Sequence, residues 1–306
     1  MELVSSINDL SFKSKTAVTI GNFDGVHIGH KELINLTTKI ANEKNLKSLV
    51  FTFENHPIEF LYNKKIERLT SPARKKEIIK ELGIDEIVSV EFNYDIKNMT
   101  TEEFSQKILI NALNASDVIM GFDSRLGNGK EGKVEYLYEV GKKMGFNVHI
   151  VDQVLVDNMR VSSSYIREML KHGEVKRVKH FLGRDYEISG VVVHGKKIGR
   201  VLGFPTANIE QDYDVLLPQK GVYYCKVLVD GVYYDGATSV GDNPTVKDKG
   251  FSVETHLINF SGDIYGKNIK LFFLDRLRDE MKFRSLEDLK FQMNKDVLKI
   301  KNYIFT

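Results

Sequence analysis

The sequence predicts an α/β domain on a parallel sheet over residues 1–183, followed by a small antiparallel β-barrel domain with a C-terminal helix over residues 184–306. Three observations predict this. A chain of 306 residues is long enough for about two domains, each with its own core. Over the first part, apolar strand-like runs alternate with helix-period segments, the pattern of a parallel sheet covered on both faces. Near Gly183-Arg184 the apolar period changes from 3.6 to 2, and strand-like runs then follow one another with few helices between them. No internal repeat or low-complexity linker separates the halves.

In the first half, Thr16 to Ile20 is apolar and β-branched, and a Gly-rich turn follows it. Leu33, Leu36 and Ile40 then share one helical face. Leu49 to Phe53 reads as the second strand. Ser71-Pro72 supplies an N-cap hydroxyl and a first-turn proline, and Gly83 stops that helix. Ile87 to Val90 is a third strand. Thr100 and Glu103 form a capping box that opens a helix through Leu113. Val118 to Met120 is the fourth strand, Val134 to Met144 a helix and Val148 to Val151 the fifth strand. Ser163 to Leu170 begins another helix, which ends near Gly173. In the second half, Tyr186 to Val193, Val222 to Val229, Val232 to Val240, Ser252 to Phe260 and Ile269 to Leu274 read as strands. Asp230-Gly231 is a strong hairpin signal, and a helix spans Leu286 to Tyr303.

Composition narrows the function. The 44 basic and 42 acidic side chains leave a net charge of +2, divided evenly at Arg184, with 18 basic and 17 acidic residues from Arg184 onward. Nucleic-acid partners require a clustered basic surplus, so none is expected. A single cysteine, Cys225, cannot form an intramolecular disulfide and lies in an apolar run, which fits a buried thiol in a reducing compartment. The start lacks the basic and apolar regions of a signal peptide, and the longest aliphatic runs are far too short to span a bilayer. The expectation is a cytoplasmic protein with no membrane partner; oligomeric state is left open.

The first strand runs into Gly21-Asn22-Phe23-Asp24-Gly25-Val26-His27-Ile28-Gly29-His30 and a helix follows. Glycines let backbone approach a ligand, and a helix N-terminus offers N–H groups and a positive dipole end to phosphate. His27 and His30 can donate to phosphate oxygens as charge builds there. Taken alone, the same pair would serve as a helix cap or a metal ligand pair; its place between strand and helix favours phosphate. Ser162-Ser163-Ser164-Tyr165-Ile166-Arg167 opens the last helix of this half, and its hydroxyls, amides and arginine form a further phosphate grip.

His-Ile-Gly-His is shared by class I aminoacyl-tRNA synthetases and small nucleotidyltransferases. With Phe-Asp-Gly-Val-His ahead of it, the decapeptide resembles the adenylyltransferase half of bacterial bifunctional FAD synthetases. Phe53-Glu54-Asn55-His56-Pro57, Gly121-Phe122-Asp123-Ser124-Arg125-Leu126-Gly127 and the Ser163–Arg167 segment follow the same order. The resemblance implies a nucleotidyltransferase-like (Rossmann-like) fold. Gly21, Asn22, Phe23, Asp24, Gly29, Ser163, Ser164 and Arg167 would then bind ATP phosphate, with Glu54, His56, Pro57, Asp123 and Arg125 near nucleotide and flavin. Asn55 stands where that family commonly has proline, and Ser124 and Leu126 where it has aromatic residues.

In the second half, Gly195-Lys196-Lys197-Ile198-Gly199-Arg200 leads to Leu202-Gly203-Phe204-Pro205-Thr206-Ala207-Asn208. Mixed Gly and Lys/Arg can wrap a polyphosphate, and Thr206 and Asn208 offer neutral oxygens suited to Mg2+, which takes few protein ligands. A basic hairpin with a proline turn is the plain alternative. No P-loop motif occurs. Gly-Phe-Pro-Thr-Ala-Asn after Lys-x-Gly-Arg resembles the riboflavin kinase motif. Pro218 to Tyr223, Gly241 to Thr245, Val253 to His256, Asp263 to Gly266 and Arg278 to Phe283 continue the likeness in order. It implies ATP binding by Gly195, Lys197, Gly199, Arg200 and Pro205, metal binding by Thr206 and Asn208, and flavin binding by Arg278 and Glu280. Glu254 falls where that family has its catalytic base; by strand pattern alone it is an outward, solvated carboxylate.

The combined likeness, from about residue 15 to 296, implies a multifunctional flavin enzyme. It phosphorylates riboflavin to FMN with ATP, then adenylylates FMN with a second ATP to give FAD and pyrophosphate. The rivals are a nucleotidyltransferase for another phosphate, a tRNA-charging fragment, or a flavin-binding regulator with one inactive half. The tRNA version expects a Lys-Met-Ser-Lys-Ser-like loop and a basic surface, and neither is evident.

Overall fold

A computed structural model describes residues 10–127, 134–195, 198–211, 213, 215–242 and 252–303. The chain divides into two compact units. One comprises residues up to Ile66 and Ser71–Ser162; the other comprises Glu67–Thr70 and Ser163 onward.

The first unit begins with β1 (Thr16–Ile20), α1 (Ile28–Lys44), β2 (Lys47–Phe53), α2 (Pro57–Tyr62), α3 (Pro72–Glu81), β3 (Glu86–Val90) and α4 (Tyr94–Asn98). Then come α5 (Thr101–Phe104), which continues as a π-wound stretch over Ser105–Ala112, β4 (Ala115–Gly121), α6 (Val134–Met144), β5 (Asn147–Val151) and a hairpin of β6 (Leu155–Val156) and β7 (Met159–Arg160). The five long strands form a parallel sheet in the order β3-β2-β1-β4-β5. Alternate residues of each strand point to opposite faces. Ala17, Val50, Ile87 and Ile119 meet Leu33, Ile34 and Ile40 of α1 and Ile78 and Ile79 of α3. Val18, Phe51, Val88 and Met120 meet Phe104, Ile108, Leu109, Leu137 and Val140 on the other face. The order reverses at β1: β2 and β3 lie to one side and β4 and β5 to the other. The crevice at the carboxyl ends of β1 and β4 is thus the switch point where open α/β sheets bind ligands.

Several sequence signals act as expected. Ser71 accepts from the Arg74 N–H and caps α3, and Gly83 follows it in the left-handed region at φ +84°. Both bonds of the Thr100/Glu103 capping box form. Short elements escape the periodicity: α2, α4 and the β6–β7 hairpin are too brief to show a period.

The second unit holds α7 (Ser163–Lys171), α8 (Val175–Leu182), β8 (Tyr186–Val193), α9 (Ile198–Val201), β9 (Ala207–Gln211), β10 (Gly221–Val229), β11 (Val232–Gly241), β12 (Ser252–Leu257), β13 (Asn268–Arg278) and α10 (Leu286–Lys301). The six strands close into an antiparallel barrel in the order β10-β11-β12-β9-β8-β13. Its interior is filled by Tyr186, Tyr223, Cys225, Val227, Leu271 and Phe273, all essentially inaccessible. Val222 and Tyr224, on the outer side of β10, pack with Leu277 of β13 and Ile300 of α10. Asp230 and Gly231 both lie at positive φ, +48° and +81°, as a two-residue turn between twisted strands requires. In the barrel, two ends of the expected strands differ from the sequence expectation by more than one residue. β12 stops at Leu257, while β13 runs on to Arg278 because its alternation continues through Leu277.

Candidate functional site

The loop after β1 carries the first constellation. Phe23 and Val26, both fully buried, hold φ of +53° and +37°, with Gly25 between them at +81°. A β-branched residue in that region is strained, and such strain persists where surrounding packing over-determines it. The turn delivers His27 to the N-cap of α1, where its Nδ1 accepts the His30 backbone N–H at 3.2 Å. That bond assigns the proton of the neutral ring to Nε2. The two imidazoles stack at 3.6 Å between centroids, and Phe23 meets His30 edge-on at 5.1 Å. Of the readings the sequence allows, the geometry shows the helix cap, made by Nδ1 of the His27 ring.

The segment after β2 is held with similar care. His56 caps α2 by accepting the Ile58 N–H at 3.2 Å, and Pro57 takes the first helical position. Burial pushes the Glu54 carboxyl up, but the Ser89 side chain, the Lys76 ammonium 3.3 Å away and the Lys75 charge outweigh it, leaving the group below its ordinary value. Asn55 explains its departure from the expected proline. Its amide donates to the Phe92 carbonyl at 2.9 Å and accepts the Phe92 N–H at 2.7 Å, joining the loops after β2 and β3. Phe53, Phe92, Phe60 and Tyr94 continue from there as an edge-to-face ladder. Around it Ile58, Leu61, Tyr62 and Tyr94 are exposed, an aromatic shelf that sequence reading did not single out.

After β4, Asp123 is exposed and ion-paired to Arg160, whose guanidinium lies 4.7 Å from the Phe122 ring centroid. Arg125 is exposed as well. Leu126 is buried in the sheet core, so its replacement of an aromatic residue is a packing matter. Lys75 is another residue that sequence reading did not single out. It is 7% exposed and shares the helical side of Ile78 and Ile79. That spacing was the available signal.

Ser163, Ser164 and Arg167 belong to the second unit, in the opening turns of α7, where Arg167 Nε donates to the Glu67 carbonyl at 2.7 Å. In the barrel, Asn208 on β9 and Glu254 on β12 are register partners. Thr206, two residues earlier, donates its hydroxyl to Glu254 Oε2 at 3.4 Å. Strand pairing thus brings Glu254 beside Asn208 and Thr206, which lie 46 and 48 positions earlier in the chain. A hydroxyl, an amide oxygen and a carboxylate make a hard, oxygen-rich donor set of the kind Mg2+ takes. Gly195 is packed so tightly on Asn208 that a β-carbon would fall 2.1 Å from its amide nitrogen. Phe204 donates its N–H to Gly199 O at 2.8 Å and packs edge-on against His256, whose Nδ1 lies 2.9 Å from Pro205 O. Arg200 and Pro205 are exposed, and Lys197 falls outside the described residues, as do positions 243–245.

Arg278 ends β13, where its Nε and Nη2 grip both oxygens of buried Asp296 on α10 at 2.8–3.1 Å. Gln292 adds a further bond to the same carboxylate at 2.9 Å. Glu280 is exposed and lies against Gly241. Sequence reading missed Asp296, which carries no motif.

A strained, histidine-bearing loop on a parallel sheet and an oxygen cluster on a separate barrel are the architecture of a bifunctional transferase. Comparison with known proteins agrees. Residues 9–165 match the family model for FAD synthetase and residues 182–304 that for riboflavin kinase. The bifunctional riboflavin kinase/FMN adenylyltransferase of Buchnera aphidicola (from Schizaphis graminum) is 36% identical, covering 99% of each chain. That of Escherichia coli K12 is 34% identical over 99% of this chain and 98% of its own. A crystal structure from Streptococcus pneumoniae, described as a macrolide-efflux protein, superposes with TM-score 0.90 and 30% identity over 98% of each chain. The chain belongs to the bifunctional riboflavin kinase/FMN adenylyltransferase family. Among the described residues no helix is long and apolar enough to cross a membrane.

Proposed function

We propose that the chain makes FAD in two steps, with residues 1–183 serving adenylyl transfer and 184–306 serving phosphorylation. It phosphorylates riboflavin with ATP to give FMN, then joins FMN to the AMP portion of a second ATP and releases pyrophosphate. The adjacency of Thr206, Asn208 and Glu254 across β9 and β12 supports the assignment of the first step. Glu254 orients the riboflavin 5′-hydroxyl and accepts its proton as the hydroxyl attacks the γ-phosphorus. Thr206 and Asn208 would hold Mg2+, which when bound neutralises charge on the phosphates. Gly195, Lys197, Gly199, Arg200 and Pro205 contact ATP, and Arg278 and Glu280 the flavin. The Asp296 ion pair favours a second reading for Arg278, as the clamp that holds α10 on the barrel.

In the second step the FMN phosphate is already a competent nucleophile and needs no protein base. His27 and His30 stabilise charge on the phosphates from the α1 N-terminus, helped by the amides of Gly21 to Asp24 and Gly29. Ser163, Ser164 and Arg167 add a further phosphate grip. Glu54, His56, Pro57, Asp123 and Arg125 contact nucleotide and flavin. The protein works in the cytoplasm, a reading supported by its one cysteine, Cys225, whose burial pushes the thiol up to about 12.

Incubation of the purified chain with riboflavin, ATP and Mg2+, with flavins separated over time, tests this. FMN should appear first and FAD after it. FMN without FAD would refute the adenylyltransferase assignment, and unchanged riboflavin would refute both.

A further inference from the structure

The buried lysine of α3 has no part in the roles assigned above, and its surroundings point to one. Lys75 Nζ sits among three oxygens: the Asn22 carbonyl at 3.2 Å, the Thr52 hydroxyl at 3.1 Å and the Phe53 carbonyl at 3.3 Å. Thr52 in turn donates its own hydroxyl to the Asn22 carbonyl at 3.2 Å. The Asn22 carbonyl therefore has two donors, one from α3 and one from β2, directly ahead of the turn in which Phe23 and Val26 hold positive φ. Phe53 is the last residue of β2 and precedes Glu54, so the same ammonium ties the loop after β1 to the loop after β2.

Two physical arguments give this brace a function. A buried ammonium is costly unless its donors are satisfied and its charge is used; the three oxygens named take its donors, and its charge also acts on the Glu54 carboxylate. Its charge lies under a loop whose ligand is anionic. A strained turn also relaxes unless something over-determines it, and Asn22 is where that turn begins.

We propose that Lys75, with Thr52, is a positioning residue for adenylyl transfer: it pins the Asn22 carbonyl and places a positive charge beneath the phosphate loop. This rests on the reading of residues 21–30 as the phosphate loop of the FMN adenylyltransferase. The kinase of the same chain supplies the control. In the full-length chain, Lys75→Met should lower kcat for FAD formation from FMN about 30-fold or more, with KM for FMN within about threefold and riboflavin phosphorylation unchanged, since a misplaced loop costs transition-state stabilisation. Lys75→Arg, which keeps the charge, should recover most of that loss. Thr52→Val, nearly isosteric, removes one acceptor and one donor; it should lower the same kcat about 3- to 10-fold and decides the matter if Lys75→Met does not fold. FAD formation within about twofold of wild type in either Lys75→Met or Thr52→Val would overturn the brace, as would equal loss in Lys75→Met and Lys75→Arg. Failure of the wild-type chain to make FAD would instead refute the reading beneath it.

Discussion

Glu254 shows how a single side chain changes meaning with its neighbours. Along β12 it alternates outward between buried Val253 and Thr255, and strand pattern alone makes it a solvated carboxylate. Opposite Asn208 and within reach of the Thr206 hydroxyl it becomes part of an oxygen cluster. Glu254→Gln keeps the shape and removes the proposed base, so FMN formation should fall about 10²- to 10⁴-fold, while FAD formation from supplied FMN persists. His27 needs a finer test because it caps α1 as well as carrying the proposed role at the phosphates. His27→Ala loses the cap as well as the ring, and the cap alone is worth about 1 kcal/mol. Asparagine is a good N-cap, so His27→Asn should melt close to wild type and yet lose FAD formation about 10²-fold, with FMN accumulating from riboflavin. Full FAD formation by a folded His27→Asn chain would remove the ring from the chemistry.

At the scale of elements, the amino-terminal ends of the strands have a separate device. Asp117 of β4 is fully buried; it accepts from Lys44, the last residue of α1, at 2.5 Å and lies 2.8 Å from His149 Nε2 on β5. Burial pushes its carboxyl up, but the Lys44 and His149 hydrogen bonds and charges outweigh that and hold it below the ordinary value. The unfolded chain then takes up the proton at higher pH than the folded one. The stabilisation is complete above the ordinary carboxylate range and is lost as pH falls through it toward the folded value. Urea midpoints should drop between about pH 5 and pH 3 in the wild type. Asp117→Asn should cost about 2 kcal/mol near neutrality, reduced from the range for broken buried pairs because Lys44 is half exposed, and should flatten that acid limb. Equal acid slopes in the two proteins would exclude the triad as its source. Elements were legible in the sequence where they were long and bounded: Ser71-Pro72 and Gly83 bracket α3, and the Asp230-Gly231 turn defines β10 and β11. The helices α2 and α4 span six and five residues, and β9 follows directly on a Gly-Phe-Pro turn, so no period could accumulate in them.

For the whole molecule, two activities on two folds predict separability. A mixture of Glu254→Gln and His27→Asn chains should convert riboflavin to FAD although neither does so alone, because the FMN released by one chain feeds the other. No FAD from the mixture, with each partial activity intact, would mean that FMN does not pass through solution. The near-zero net charge is consistent with this chemistry, since small phosphates need local donors and not a basic surface. The sequence by itself determined the two fold classes, the strong helix boundaries and the glycine turns, because periods, caps and turn residues are local properties of the chain. Only the tertiary structure decided the order reversal at β1, the pairing of Asn208 with Glu254, the clamp of Arg278 on Asp296 and the burial of Lys75. Those depend on which distant segments pair and pack, and for a charged residue written among other charges a helical spacing shared with Ile78 and Ile79 does not by itself say that the fold will enclose it.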